Sequence, residues 1–284
     1  MIVDHDLQLV LLHVPKCAGT TLRRAFLDDG AGRRVEDLFD FSYDPVLKRQ
    51  VDRAHRPLMD LRHTSLWRWL RRYRVIACVR HPYDRLASAC REHLRQKSRE
   101  SEVQMRYQPP SAEQLLNYLR RLPAAMDAHD LRWVHGFPIH WFTHFGERPM
   151  VDQLIRFEQF DSDLEQVAEN LSLPKSLRER LRAIGAGAGR RKTADLEPTR
   201  NNLDLRAMAN QLHREDFVCF NYERQESEFV NQELRQLIDA CLAIGPSHEL
   251  PLTNLTPEMR WYYGRVSPRP ELHLKPRRTR KPPQ

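Results

Sequence analysis

This chain of 284 residues carries little that would cross-link it or bind a metal. Its five cysteines, Cys17, Cys78, Cys90, Cys219 and Cys241, form neither an even framework nor a Cys-x-x-Cys pair, which argues against disulfides and zinc and for a reducing compartment. No apolar run approaches the length that spans a bilayer, and no leading segment has the layout of a signal peptide, so a cytoplasmic protein is expected. There is no internal repeat. Lysine is scarce, 7 residues against 39 arginines, a bias that fits a GC-rich bacterial coding sequence. Broad basicity is missing too. Residues 265–284 hold +6 of the net charge of +8 and leave +2 for everything else, so nucleic-acid binding is not expected.

The length suits a single enzyme domain with a substantial core. Residues 1–245 are expected to form it. Residues 246–284 are a proline-rich basic extension, with Pro268, Pro270, Pro276, Pro282 and Pro283 in its basic part. Such a composition predicts a partly disordered tail, either solvated or in peripheral contact with an acidic substrate or a lipid surface.

What the sequence does contain is an apolar run, Leu9-Val10-Leu11-Leu12-His13-Val14, that flows into Pro15-Lys16-Cys17-Ala18-Gly19-Thr20-Thr21 and then into a helical pattern. A buried strand, a small hydroxyl-rich turn and a helix N-terminus make an anion cradle. Ala18 and Gly19 let main-chain N–H groups approach a ligand, Thr20 and Thr21 add hydroxyls, and Lys16 adds a point charge. The lysine precedes the small residues instead of following the last glycine, so this is not the order of a nucleoside triphosphatase loop. The second apolar strand, Tyr73-Arg74-Val75-Ile76-Ala77-Cys78-Val79, ends in Arg80 and not in a magnesium-binding acid. Both segments end where ligands of open α/β sheets bind, and Arg80 is of a type to hold phosphate directly.

Together these segments resemble the sulfotransferases that use 3'-phosphoadenosine 5'-phosphosulfate (PAPS), closest to the Golgi-type carbohydrate enzymes and their bacterial relatives. Pro15 to Thr21 matches the family loop that grips the 5'-phosphosulfate. Arg80-His81-Pro82-Tyr83-Asp84-Arg85-Leu86-Ala87-Ser88 matches the element that grips the 3'-phosphate through its first arginine and its serine, here Arg80 and Ser88, with His81 where Asp is usual. Val151 to Glu158 is similar to the family's Arg-x-Glu strand, and Asp216-Phe217-Val218-Cys219-Phe220-Asn221-Tyr222 to its late signature. The resemblance reaches from about residue 7 to about 224.

It implies transfer of a sulfuryl group from PAPS to an acceptor hydroxyl, of a glycan or glycolipid, releasing 3',5'-ADP and requiring no metal. His55, in Ala54-His55-Arg56-Pro57, resembles the segment that supplies the base in uronyl 2-O-sulfotransferases, with Ala54 in place of glycine. A hydroxyl acceptor needs such a base, and Glu158 and His81 are the reserves. In the implied in-line displacement Lys16 and the N–H groups of Ala18 to Thr21 stabilise charge building on the bridging and 5'-phosphate oxygens, and Cys17 belongs to the same donor-binding loop.

Other features stay open between two readings. The helix terminus and Lys16 favour a thiolate at Cys17, whereas packing would leave it inert. Arg191 and Lys192 follow the run Gly185-Ala186-Gly187-Ala188-Gly189, which reads as a flexible connector, and are similar in charge to the Arg-Lys-Gly lid of cytosolic sulfotransferases. They are either that lid or a solvated cluster. His135, His140 and His144 suggest a metal by spacing, while Trp141, Phe142 and Phe145 around them suggest packing or an acceptor wall. Strands alternating with helices predict an α/β fold, a doubly wound parallel sheet flanked by helices, as in the P-loop-like sulfotransferase fold. A kinase and a non-catalytic binding scaffold of the same fold are the competing functions.

Overall fold

The computed structural model describes residues 1–27, 32–45, 49–62, 64–100, 109–127, 130–188 and 196–244. At its centre the two apolar runs lie side by side. Strand β2 (Leu9–Leu12) and strand β6 (Arg74–Val79) pair in parallel, Leu9 opposite Arg74 and Leu12 opposite Ala77. All four residues of β2 and the last five of β6 are buried, as strands covered on both faces must be. Strand β9 (Gln153–Arg156) continues the parallel pairing on the far side of β6, with Cys78 opposite Ile155.

The other half of the sheet is antiparallel, and here the expectation of a parallel sheet is corrected. Strand β1 (Ile2–Asp4) pairs antiparallel with β2, and β3 (Val35–Asp37) pairs antiparallel with β1, giving the order β3-β1-β2-β6-β9. The cause is local. The Asp4 carboxylate accepts the N–H groups of Asp6 and Leu7, and Gln8 takes φ 49°. This tight reversal leaves β2 no partner direction but antiparallel to β1. Arg33 then buries its guanidinium against Asp4, anchoring the approach to β3.

Helices flank the sheet. Helix α1 (Gly19–Leu27) buries Leu22, Ala25 and Phe26, a stripe at helical spacing. Helix α4 (Pro82–Glu100) follows β6 and buries Tyr83, Leu86, Ala87 and Cys90. Between β3 and β6 the chain forms a small hairpin, β4 (Phe41–Asp44) and β5 (Arg49–Asp52), antiparallel with Phe41 opposite Asp52. Helices α7 (Phe160–Asn170) and α8 (Lys175–Ala188) pack against one another and against α1 and β9. The glycine-alanine run was expected to be a connector, yet its first four residues are helical, to Ala188. Each glycine costs about 1 kcal/mol in a helix, and the buried face of α8, with Leu177 and Leu181, outweighs that. The described cysteines Cys17, Cys78, Cys90 and Cys219 are free thiols. Among the described residues no helix is long and apolar enough to cross a membrane.

Candidate active site

The carboxyl ends of β2 and β6 lie together because the two strands run parallel and in register, and each hands its next residues to the same edge of the sheet. The turn from β2 into α1 places Lys16 at φ 65° and Ala18 at φ 59°. Two non-glycine residues held in the left-handed region mark a strained loop of the kind found where backbone must face a ligand. The Ala18 carbonyl accepts from Thr21 and Leu22 at 2.9 and 3.1 Å, which starts the helix, and the first N–H groups of α1 have no carbonyl one turn back. Gly19 is required by close approach. A Cβ there would lie 2.0 Å from Cδ2 of His13. Cys17 is fully buried, and burial pushes its thiol up to about 12. The thiolate reading is therefore corrected, because a thiol without solvent around it keeps its proton.

Two guanidinium groups bound this loop with no carboxylate paired to them among the described residues. Arg80, 3% exposed, lies over the ring of Phe157 at 4.2 Å and reaches the Lys16 carbonyl with Nη1 at 3.4 Å, while its Nε and Nη2 are buried without an acceptor. Arg85, fully buried, donates from Nε to the Pro15 carbonyl at 3.1 Å, and its Nη1 and Nη2 are likewise without an acceptor. Buried donors are normally satisfied, so such a pair is chemically matched to an anion. Lys16 is different, since its Nζ meets Oε2 of Glu92 at 3.1 Å. Burial lowers its pKa, and Glu92 works in the opposite direction. Arg85, Ser88 and Glu92 lie three and four residues apart on α4, hence on one face, and half-buried Ser88 sits between the other two.

A second group of side chains comes from the hairpin. Asp52, at the end of β5, accepts the Ala54 N–H at 2.9 Å and Nδ1–H of His55 at 2.5 Å. A proton fixed on Nδ1 leaves Nε2 of His55 as the basic nitrogen. Burial alone would raise the Asp52 carboxyl, but the pull of His55 and the hydrogen bond from it bring it below the usual range. The His55 ring meets the edges of His13 and His135, with centroids 4.6 and 5.1 Å away. His135 feels His55 most and Lys16 next among the charges around it, with Arg85 also acting on it. The His13 ring joins this group to the loop, since it also lies against Gly19.

The remaining predicted residues go elsewhere. Glu158 accepts the His81 N–H at 2.7 Å with Oε1 and the Tyr222 hydroxyl at 2.9 Å with Oε2, while Nε2 of His81 bonds the Glu223 carbonyl at 3.2 Å. Both reserve bases are thus spent as struts. Asp216 of the late signature is fully buried and accepts from the N–H groups of Ile139 and His140 and from the rings of His140 and His213. Of the three histidines weighed for a metal, His135 lies against His55, His140 on Asp216, and His144 on the Thr143 hydroxyl at 2.9 Å. Arg191, Lys192 and the 246–284 extension lie outside the described residues. Sequence reasoning missed Asp52, His13, Arg85 and Glu92 as candidate site residues, and it weighed His135 only for a metal or an acceptor wall. Asp52 stands three residues before His55, and Arg85 stands inside the quoted motif, so both had a local signal. His13 had none.

The sequence model of the sulfotransferase family matches residues 1–223. The chain belongs to the sulfotransferase family. Membership supports sulfuryl transfer and implies a hydroxyl-bearing acceptor. No match was found among curated proteins or among solved structures. The mixed sheet flanked by helices is compatible with a sulfotransferase.

Burying histidines in this sulfotransferase has a cost in acid. His13 is 6% exposed and His213 fully buried, and burial drives both below the ordinary range of histidine. Below about pH 6.5 the unfolded chain takes up protons at these positions that the folded chain refuses. Stability contributed by their neutral forms is complete above that pH and is lost as pH falls toward their folded values. The melting midpoint should drop steadily from pH 7 to 5, as the free energy of unfolding falls by up to about 1.4 kcal/mol per histidine per pH unit. A flat midpoint over that range would show that both rings protonate in place.

Proposed function

We propose that this sulfotransferase moves the sulfuryl group of PAPS to a hydroxyl of a glycan or glycolipid, with residues 1–245 as the catalytic unit and His55 as the base. The observation that carries the reading is the Asp52–His55 pair joined to the loop through His13, whose ring meets His55 at 4.6 Å and lies against Gly19.

The residues present fit the donor. Arg80 Nε and Nη2 and Arg85 Nη1 and Nη2 are buried and lack acceptors among the described residues, and the absence of a side chain at Gly19 lets the His13 ring lie against the start of α1. Arg80 and Ser88 would hold the 3'-phosphate. Lys16, with the main-chain N–H groups of Ala18 and Gly19 and the hydroxyls of Thr20 and Thr21, would hold the 5' end, while the Cys17 N–H donates to the Val14 carbonyl at 3.4 Å and shapes the loop. Arg85 acts on this loop from below, because its bond to the Pro15 carbonyl fixes where Lys16 begins. PAPS supplies an activated sulfuryl group when bound. Nε2 of His55 takes the acceptor's hydroxyl proton, and the Asp52 carboxylate stabilises the imidazolium that results. Fixed cations and amide dipoles give the charge stabilisation that a magnesium ion gives in kinases.

The test is ligand selectivity. A ligand that binds only the folded chain stabilises it by about 2.7 kcal/mol at a hundred times its Kd. The melting midpoint should rise with 3',5'-ADP and not with 5'-AMP or with ATP and magnesium. A response to ATP and magnesium alone would favour a kinase, and no response to any of the three would favour a binding scaffold.

A further inference from the structure

Of the three cations around the loop, Lys16, Arg80 and Arg85, Lys16 alone is paired with a carboxylate among the described residues. Its partner Glu92 is held independently of it. Arg95, three residues on, gives Nε to Oε2 at 3.0 Å and a second guanidinium nitrogen to Oε1, and Gln96 reaches Oε1 at 3.4 Å. The Glu92 side chain is 14% exposed and that of Lys16 22%. When Lys16 leaves, Glu92 keeps a two-point partner in Arg95 and is not stranded as a buried charge, which is what makes the contact breakable. Lys16 has a flexible stem and a half-open position, so its ammonium can exchange one oxygen for another.

We propose that Glu92 is a positioning residue that holds Lys16 when the 5'-phosphate position is empty and surrenders it to the bound nucleotide. This rests on the PAPS reading above. The consequence is specificity and release. The Lys16 charge reaches a nucleotide only in competition with Glu92, so affinity at the 5' end is weaker than the three cations alone would give, and the product leaves as Lys16 returns to Glu92. Arg80 and Arg85, which have no such competitor, keep their full attraction.

The experiment is a calorimetric titration of the full chain with 3',5'-ADP and with 3'-AMP, which lacks the 5'-phosphate. Glu92→Asp keeps the negative charge and the Arg95 neighbour but is too short to meet Lys16. It should bind 3',5'-ADP about three- to ten-fold more tightly than the wild type and 3'-AMP with unchanged affinity. Glu92→Gln should act in the same direction. Glu165→Gln, which removes an exposed partner of Arg182 on α7, serves as the control and should change neither. Equal or weaker 3',5'-ADP binding by both Glu92 variants, with unliganded melting midpoints near the wild type, would overturn the proposal and leave the PAPS reading intact. An equal gain for both nucleotides would also overturn it, because that is long-range charge and not competition for Lys16. Wild-type protein that binds neither nucleotide would remove the PAPS reading and this inference together.

Discussion

His55→Ala should reduce sulfuryl transfer by about 10²- to 10⁴-fold, the usual contribution of a positioned base, while the affinity for 3',5'-ADP stays that of the wild type. The separation follows from geometry. His55 follows the β4–β5 hairpin and touches Asp52, His13 and His135, whereas the groups proposed to hold the nucleotide come from the β2 and β6 ends and α4. Turnover is read as 3',5'-ADP release with a glycan acceptor that the wild type uses. Asp52→Asn should lose turnover as well, since a neutral amide neither fixes the Nδ1 proton nor stabilises the imidazolium. Near-normal turnover in His55→Ala would transfer the role to His13 or His135, the rings in contact with it.

Arg80→Met should do two opposite things. Nucleotide affinity should fall about 100-fold, the equivalent of about 2.7 kcal/mol for a charged donor pair. The unliganded chain should melt a few degrees higher, because the wild type holds a buried guanidinium with Nε and Nη2 unsatisfied and such a charge is costly without a partner. Methionine removes that cost and still packs on Phe157, which lies 4.2 Å from the guanidinium carbon. A stabilisation of about 1 kcal/mol would raise the midpoint by roughly 2–4 °C. Melting with and without 3',5'-ADP measures both effects. A lower unliganded midpoint would mean that Arg80 is a structural residue, and an undiminished ligand-induced rise would remove it from the nucleotide site.

The expected strands, the helix from residue 19 or 20 and the helix after Arg80 were legible because their signals are contiguous. A run of β-formers buried on both faces, a small turn and a 3.6-residue stripe each lie within a dozen residues. The three-residue strands β1 and β3 carry no such signal. They exist because Asp4 turns the chain and Arg33 ties it down. Glu158 shows a different limit. An isolated carboxylate at the end of a strand is a plausible base on paper, and only the two donors that fold onto it, the His81 N–H and the Tyr222 hydroxyl, reveal a strut.

The same division holds for chemistry. The order of Lys16 before Ala18-Gly19-Thr20-Thr21, and the arginine in place of an acid after β6, are properties of neighbouring residues. They determined by themselves that this turn is an anion cradle in composition and not the order of a P-loop lysine, because backbone approach, hydroxyl donors and charge act over the span of one turn. Which histidine is oriented by a carboxylate, which arginines are left without acceptors and which acid competes for Lys16 were decided only by the tertiary structure. Those properties depend on burial and on partners brought from far along the chain, as when Lys16 meets Glu92 and His55 meets both His13 and His135. Desolvation and pairing exist only once the sheet and its helices have closed around them.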